Sequence, residues 1–174
     1  MNIFGGFKIG NDLLWSILTA DPLLTFIIIL FIAFFGAYGI IIDIVRESRL
    51  KRSDINDIDE MSGNKFEEYL LVLLKGRGYK VKLTPKTGDY GADLILLTNN
   101  KKIVVQAKRY KKNVGVRAVQ EIVSAQKYYK ADECWVITNS FFTNQAIKLA
   151  SSNHVRLINR SELIDWMIKY NKSA

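Results

Sequence analysis

Residues 92–108 read ADLILLTNNKKIVVQAK, and this stretch sets the architecture of the C-terminal part of the chain. Two strand-like runs, Ala92–Leu97 and Lys102–Ala107, lie on either side of the turn-forming pair Asn99-Asn100. This arrangement predicts two strands that are joined by a tight turn and paired with each other. A third strand-like run, Tyr79–Leu83, precedes them. The sequence therefore predicts three consecutive strands of one sheet.

Helical patterns flank these strands on both sides. Apolar residues from Phe66 to Leu74 recur at helical spacing, which predicts an amphipathic helix that ends near Gly76-Arg77-Gly78. Beyond the third strand, helices are predicted at about 117–129, 144–151 and 161–170, and strands at 134–138 and 155–158. The order α-β-β-β-α-β-α-β-α predicts an α/β fold in which helices flank a mixed β-sheet.

The N-terminal part of the chain has a different composition. Residues 23–42 are twenty apolar or uncharged residues in succession. A helix of this length spans about 30 Å, the thickness of the hydrocarbon core of a bilayer. We therefore expect one transmembrane helix at about 23–42, within an N-terminal segment 1–45. A buried core helix and a cleaved signal peptide are the alternatives. Against a signal peptide, the run is followed by a charged cluster and not by a small-residue cleavage site.

The residues after this run are basic, and they predict the orientation of the chain. Lys and Arg stand at Arg46, Arg49, Lys51 and Arg52, whereas the preceding flank has Lys8 against Asp12 and Asp21. By the positive-inside rule, we expect the C-terminal domain to lie in the cytoplasm. The chain is thus predicted to be a single-pass membrane protein, with the lipid bilayer as one of its partners. Residues 46–61 are predicted to be a polar juxtamembrane linker, and residues 62–174 the globular domain.

Charge and composition limit the function of that domain. Residues 61–174 hold 20 of the 25 Lys and Arg residues but 9 of the 17 Asp and Glu residues, a net charge of +11. Such an excess favours a polyanionic partner, although it also suits a solvated surface. The single Cys134 and the single His154 exclude a Cys/His zinc cluster. An enzyme with this composition has to rely on carboxylates and lysine.

Three polar residues meet at the predicted hairpin. Asp93 begins the second strand, while Gln106 and Lys108 are two apart near the end of the third and so project from one face. A carboxylate and an amide oxygen can bind Mg²⁺, and a lysine can orient water or stabilise a phosphoryl transition state. This set suits hydrolysis of a phosphodiester bond. The spacing alone is weak evidence, and by itself it favours a solvated strand end over a catalytic site.

Several motifs extend the pattern over nearly all of residues 62–170. In order they are Lys65–Leu70, Gly78–Val81, Thr87–Leu94, Val105–Tyr110, Val119–Ile122, Val136–Thr143 and Val155–Ile158. Together they resemble the catalytic domain of Mrr-like restriction endonucleases, which belong to the PD-(D/E)xK nuclease superfamily. The resemblance implies a restriction-endonuclease-like fold with an α-β-β-β-α-β core. It also implies catalytic roles for Asp93, Gln106 and Lys108, with Asp93 and Gln106 as ligands of Mg²⁺ or another divalent metal.

Glu67 matches the acidic residue of the family's first helix that often joins the site, although a solvated helix face explains it as well. Two positions depart from the superfamily pattern, since Ala92 replaces a proline and Gln106 replaces an acid. The loss of the second acid should lower metal affinity, and on this basis Gln106→Glu is expected to retain or improve activity at low Mg²⁺. Asp89 is either a supporting carboxylate or a turn residue.

Basic residues surround the predicted site and could form a path for DNA phosphates. The candidates are Lys86, Arg109, Lys111, Lys112 and Arg117, with Tyr90 and Tyr110 among them. Taken singly, each suits a solvated position. The sequence thus predicts a membrane-anchored, Mg²⁺-dependent deoxyribonuclease of the restriction or DNA-defence type. One alternative is a tethered nucleic-acid-binding module that does not cleave, and another is an RNase or resolvase of the same fold. The sequence is compatible with a monomer or a homo-oligomer.

Overall fold

The computed structural model describes residues 22–51, 53–85, 88 and 90–173. The chain divides into two compact units, Met1–Arg46 and Glu47–Ala174. Within the described residues the elements are α1 Pro22–Lys51, α2 Ile55–Glu60, α3 Gly63–Gly76, β1 Lys80–Leu83, β2 Leu94–Leu97, β3 Lys102–Lys108, α4 Val116–Tyr129, β4 Glu133–Thr138, α5 Asn144–Ser152, β5 Val155–Ile158 and α6 Arg160–Ser173.

Helix α1 contains the apolar run and continues beyond it to Lys51. Its apolar side chains in the first unit are exposed, with Ile32 at 66% and Phe34 at 67% of their full exposed area. Among the described residues, α1 is the helix that is long and apolar enough to cross a membrane. A signal sequence meets the same criteria of length and composition. Residues 1–21 lie outside the described part.

The sheet has the strand order β1-β2-β3-β4-β5. Strands β1, β2 and β3 are antiparallel neighbours, whereas β3, β4 and β5 are parallel. The tight turn at residues 98–101 joins β2 to β3, and the longer crossovers through α4 and α5 join the parallel strands. The predicted mixed sheet with flanking helices is therefore confirmed.

Alternation along β3 separates two cores, one on each face of the sheet. Ile103 and Val105 pack with α3 and α6, in a cluster that includes Phe66. Val104 packs instead with α4 and α5, in a cluster that includes Ile122. Because successive strand residues face opposite sides, Gln106 follows Val104 onto the face covered by α4.

The segment predicted as a polar linker belongs instead to the folded domain. Leu50, Ile58 and Met61 are buried in the same core cluster as Phe66. Asp54 caps α2 by accepting hydrogen bonds from the backbone N–H groups of Asn56 and Asp57. The sequence does not predict this packing, because α2 has six residues and the buried apolar residues are too far apart to produce a helical pattern of hydrophobicity.

Asp59 ties α2 to the rest of the domain. Its Oδ1 accepts from Arg160 Nη1 at 2.7 Å and from Asn139 Nδ2 at 2.7 Å. The hydrogen bond from Arg160 lowers the pKa of Asp59 from its ordinary value of 3.8, and the opposing effect of burial is smaller. This ion pair therefore stabilises the folded domain at neutral pH.

Asp59→Asn should lower the free energy of unfolding at pH 7 by about 1 kcal/mol, a value that allows for solvent screening of a partly exposed pair. The folded pKa is depressed, so the stabilisation is complete above pH 3.8 and is lost as pH falls below it. The difference between variant and wild type should accordingly shrink at pH 3. Chemical denaturation of the full chain in detergent, followed by tryptophan fluorescence, measures it. The exposed neighbour Glu60, changed to Gln, is the control, and an equal loss in both variants would contradict the assignment.

Candidate active site

Asp93 lies directly before β2 and is held by the edge of β3. Its backbone N–H donates to Val105 O at 2.8 Å, and its Oδ2 accepts from the Ala107 N–H at 2.7 Å. Thr84 Oγ1 donates to the Asp93 carbonyl oxygen at 3.1 Å. The Asp93 carboxylate is thus fixed to the backbone between Gln106 and Lys108. The structure brings these three predicted residues together.

The side chains of Gln106 and Lys108 converge on Glu121 of α4. Glu121 Oε2 accepts from Gln106 Nε2 at 2.7 Å and from Lys108 Nζ at 3.0 Å. Glu121 Oε1 accepts from Arg117 Nε at 2.7 Å. Gln106 is 2% exposed, whereas the side chains of Lys108 and Glu121 are 21% and 28% exposed. The site therefore opens to solvent at Lys108 and Glu121, above a buried Gln106.

Glu121 is a site residue that the sequence analysis did not select. It is the one acidic residue of α4, it stands four positions after Arg117, and it lies within the Val119–Ile122 motif, but none of these signals predicts its contact with β3. Burial alone raises the pKa of Glu121, but the hydrogen bonds from Lys108, Arg117 and Gln106 outweigh it and lower the pKa below its ordinary value. The carboxylate is therefore ionised at neutral pH.

The loop before Asp93 packs tightly on α4. Gly91 has a φ of 92°, and a Cβ there would lie 2.8 Å from Glu121 Cβ and 3.2 Å from the Glu121 carbonyl carbon. Glycine is required by both the backbone conformation and the space. Next to it, the ring of Tyr90 stacks on Tyr128 with centroids 3.9 Å apart. These contacts hold the loop that carries Asp93 against the helix that carries Glu121.

A cavity of about 260 Å³ lies over this cluster, lined by Lys108, Tyr110, Val114, Gly115, Arg117, Ala118 and Glu121. A second cavity, of about 490 Å³, shares Tyr110 with the first. Its lining is Asp59, Tyr110, Lys111, Asn113, Asn139, Ser140, Phe141 and Arg160. Tyr110 is 48% exposed and Phe141 47% exposed. The two cavities therefore adjoin at Tyr110, just beyond the end of β3.

The polar atoms fit a divalent cation at Asp93 and Gln106. Gln106 Oε1 is buried and has no hydrogen-bond partner among the described residues. A buried acceptor without a partner costs about 1–3 kcal/mol, which a cation at this oxygen would offset. No group of three or more His, Cys, Asp and Glu suited to a metal is found in the described ranges. The donor set is therefore small and oxygen-based, as Mg²⁺ accepts when water completes its coordination.

The remaining predicted residues have different surroundings. Glu67 is half-buried on α3, which packs on the face of the sheet opposite α4. Arg109 is half-buried, and its Nη1 donates to Asp59 O at 3.4 Å. Lys111 and Lys112 are exposed, and the Arg117 side chain is 89% exposed. Two predicted positions, Lys86 and Asp89, lie outside the described residues.

Comparison with known proteins gives consistent results. The restriction endonuclease family Mrr_cat matches residues 58–167. The type IV methyl-directed restriction enzyme EcoKMrr of Escherichia coli strain K12 is 30% identical over 124 residues, which cover 66% of this chain and 41% of that enzyme. The chain thus spans less than half the length of this curated relative.

Two solved structures share the fold. The DNA modification-dependent restriction endonuclease AspBHI is similar with a TM-score of 0.51 and 18% identity, over 74% of this chain and 40% of that one. The protein of unknown function AF1548 has a TM-score of 0.52 and 15% identity, over 61% of this chain and 65% of that one. At these identities the likeness concerns the fold alone.

Proposed function

This chain belongs to the Mrr_cat family of restriction endonucleases, and from that membership we propose that it is a membrane-anchored, metal-dependent DNA endonuclease of the restriction or DNA-defence type. One observation carries the proposal. Asp93 and Gln106, whose buried Oε1 has no partner among the described residues, lie beside Lys108, and Lys108 lines the smaller cavity. This set has the donors that phosphodiester hydrolysis requires.

The roles follow from the chemistry of each group. Asp93 and Gln106 Oε1 would hold a Mg²⁺ ion, which supplies charge neutralisation at the scissile phosphate and a water of lowered pKa. The Lys108 ammonium has three N–H donors, of which Glu121 uses one. The others can reach a phosphate oxygen in the cavity and stabilise charge that develops during cleavage. Glu67 remains a candidate on the opposite side of the sheet.

DNA would approach over the surface formed by the two cavities. Lys111 lines the larger cavity, the neighbouring Lys112 is exposed, and both can contact phosphates, while Tyr110 offers a ring for stacking on a sugar or base. Arg117 is exposed at the mouth of the smaller cavity. Arg109 contributes less in this arrangement because its guanidinium is turned toward Asp59.

Binding to duplex DNA should depend steeply on salt. If about six phosphates are contacted, a plot of log affinity against log salt concentration has a slope near −5, because each contact contributes about −0.9. Fluorescence anisotropy with the full chain in detergent measures the slope. Lys111→Gln with Lys112→Gln should make it shallower by about 2, whereas Lys169→Gln on α6 is the control. A slope near zero would mean that the basic residues form only a solvated surface.

A panel of substrates tests the reaction itself. The named relatives are methyl-directed and modification-dependent enzymes, so methylated and unmethylated duplex DNA are compared with duplex RNA, each with Mg²⁺. We expect cleavage of DNA. Cleavage confined to RNA would replace the proposal by the ribonuclease alternative.

Membrane anchoring through α1 is the second part of the proposal. It is supported by the length of the helix and by the exposure of its apolar side chains. The basic residues after the apolar run favour a cytoplasmic nuclease domain, where intracellular DNA and Mg²⁺ are both available. A tethered DNA-binding module without cleavage is the rival function, and Gln106 in place of an acid is the feature that favours it.

A further inference from the structure

We propose that Glu121 is a positioning residue, which supplies from α4 the negative charge that Gln106 lacks and turns the oxygen of the Gln106 amide toward the metal position. This inference rests on the proposed nuclease function. It assigns a role to a residue on a different element from the hairpin that carries the other members of the site. Three observations lead to it.

The first observation concerns the orientation of the Gln106 amide. An amide side chain has a donor end and an acceptor end of nearly the same shape, and an ionised carboxylate can only accept. Glu121 Oε2, at 2.7 Å, therefore selects the Nε2 end of Gln106. The opposite end, Oε1, is left buried and without a partner among the described residues. A neutral residue at position 121 would leave the amide free to present either end.

The second observation concerns charge. Position 106 is neutral where the superfamily pattern has an acid, but the Glu121 carboxylate accepts a hydrogen bond from the Gln106 side chain. The same Glu121 oxygen also accepts from Lys108 Nζ at 3.0 Å. One carboxylate therefore positions both of the residues that β3 contributes to the site, Gln106 and Lys108.

The third observation concerns space. The backbone at Gly91 leaves no room for a Cβ against Glu121. Arg117 Nε holds the other carboxylate oxygen at 2.7 Å. Glu121 is therefore confined on both sides, as a residue that fixes the geometry of its neighbours must be.

This arrangement revises the expectation for Gln106→Glu. Gln106 Nε2 now donates a hydrogen bond to Glu121 Oε2 at 2.7 Å. A carboxylate at position 106 would place a second negative charge at about this distance from the Glu121 carboxylate. Two like charges in contact repel, so the substitution should weaken the site. Gln106→Glu combined with Glu121→Gln restores one carboxylate and one amide in reversed positions, with the net charge unchanged.

The test compares the two single variants, the double variant and wild type as full chains in detergent. Glu162→Gln is the control, because Glu162 forms an ion pair with Arg156 at 2.7 Å elsewhere on the domain. Binding of Mn²⁺ in the absence of DNA is measured by calorimetry, together with plasmid cleavage and thermal unfolding in EDTA. We expect each single variant to bind Mn²⁺ at least about tenfold more weakly, and the double variant within about threefold of wild type.

The outcomes are distinct. Wild-type affinity in Glu121→Gln, or tighter binding by Gln106→Glu alone, would overturn the role of Glu121 while leaving the nuclease function intact. A wild-type chain that neither binds Mn²⁺ nor cleaves DNA contradicts the proposed function itself. If the single variants fail to fold, the folded double variant decides the matter, since retained Mn²⁺ affinity supports the role and lost affinity refutes it.

Discussion

Asp93→Asn and Lys108→Met should each lower Mg²⁺-dependent cleavage of duplex DNA by at least about 100-fold, the usual effect of removing one group that stabilises a transition state. Asp93 provides the anionic ligand of the proposed metal site. Asn at this position still accepts the hydrogen bond from the Ala107 N–H, so the end of β3 keeps its structure. Met at position 108 keeps most of the length of the lysine side chain and removes its charge and donors.

Lys101→Met is the matched control for the lysine variant. Lys101 forms an ion pair with Glu133 at 2.7 Å, comparable with the 3.0 Å pair of Lys108 and Glu121. Loss of an exposed surface pair changes stability by at most about 1 kcal/mol. The control should therefore cleave like wild type. Undiminished cleavage by either folded site variant would remove that residue from the catalytic set.

The proposed membrane anchor should be sensitive to charge. Ile32→Lys with Phe35→Lys places two lysines near the middle of the apolar run, at a cost of about 3 kcal/mol each on insertion scales. Wild type should remain in the membrane pellet after alkaline carbonate extraction, and the double variant should move to the soluble fraction. Ile32→Leu with Phe35→Leu is the control and should stay in the pellet.

Wild-type protein in the soluble fraction would contradict membrane insertion outright. Orientation is tested separately by protease treatment of intact spheroplasts. We expect the nuclease domain to be protected until the membrane is permeabilised. Digestion without permeabilisation would place the domain outside the cytoplasm.

The sequence predicted the features that depend on local spacing. Strand-like runs on either side of the Asn99-Asn100 turn located β2 and β3, and the two-residue interval between Gln106 and Lys108 placed both on one face. The order of several motifs indicated the family, which the match over residues 58–167 confirms. These predictions were correct because the facing of residues along a strand and the position of a hairpin turn depend on residues that are close together in the sequence.

Features that depend on tertiary contacts were missed for a physical reason. Glu121 and Gln106 are 15 positions apart in the sequence and lie on different elements, so no local pattern predicts their hydrogen bond. Asp59 meets Arg160 across 101 positions, so α2 looked like a polar linker. The buried Leu50 and Ile58 stand too far apart to produce a helical period.

The most direct test of the account is plasmid nicking by the full chain in detergent, with Mg²⁺ and with EDTA, beside Lys108→Met under the same conditions. We predict that wild type converts supercoiled plasmid to nicked and linear forms in Mg²⁺, and that neither EDTA samples nor the variant does so. Plasmid that stays supercoiled with Mg²⁺ or Mn²⁺, although the protein binds it, would contradict the account and identify a tethered DNA-binding module instead.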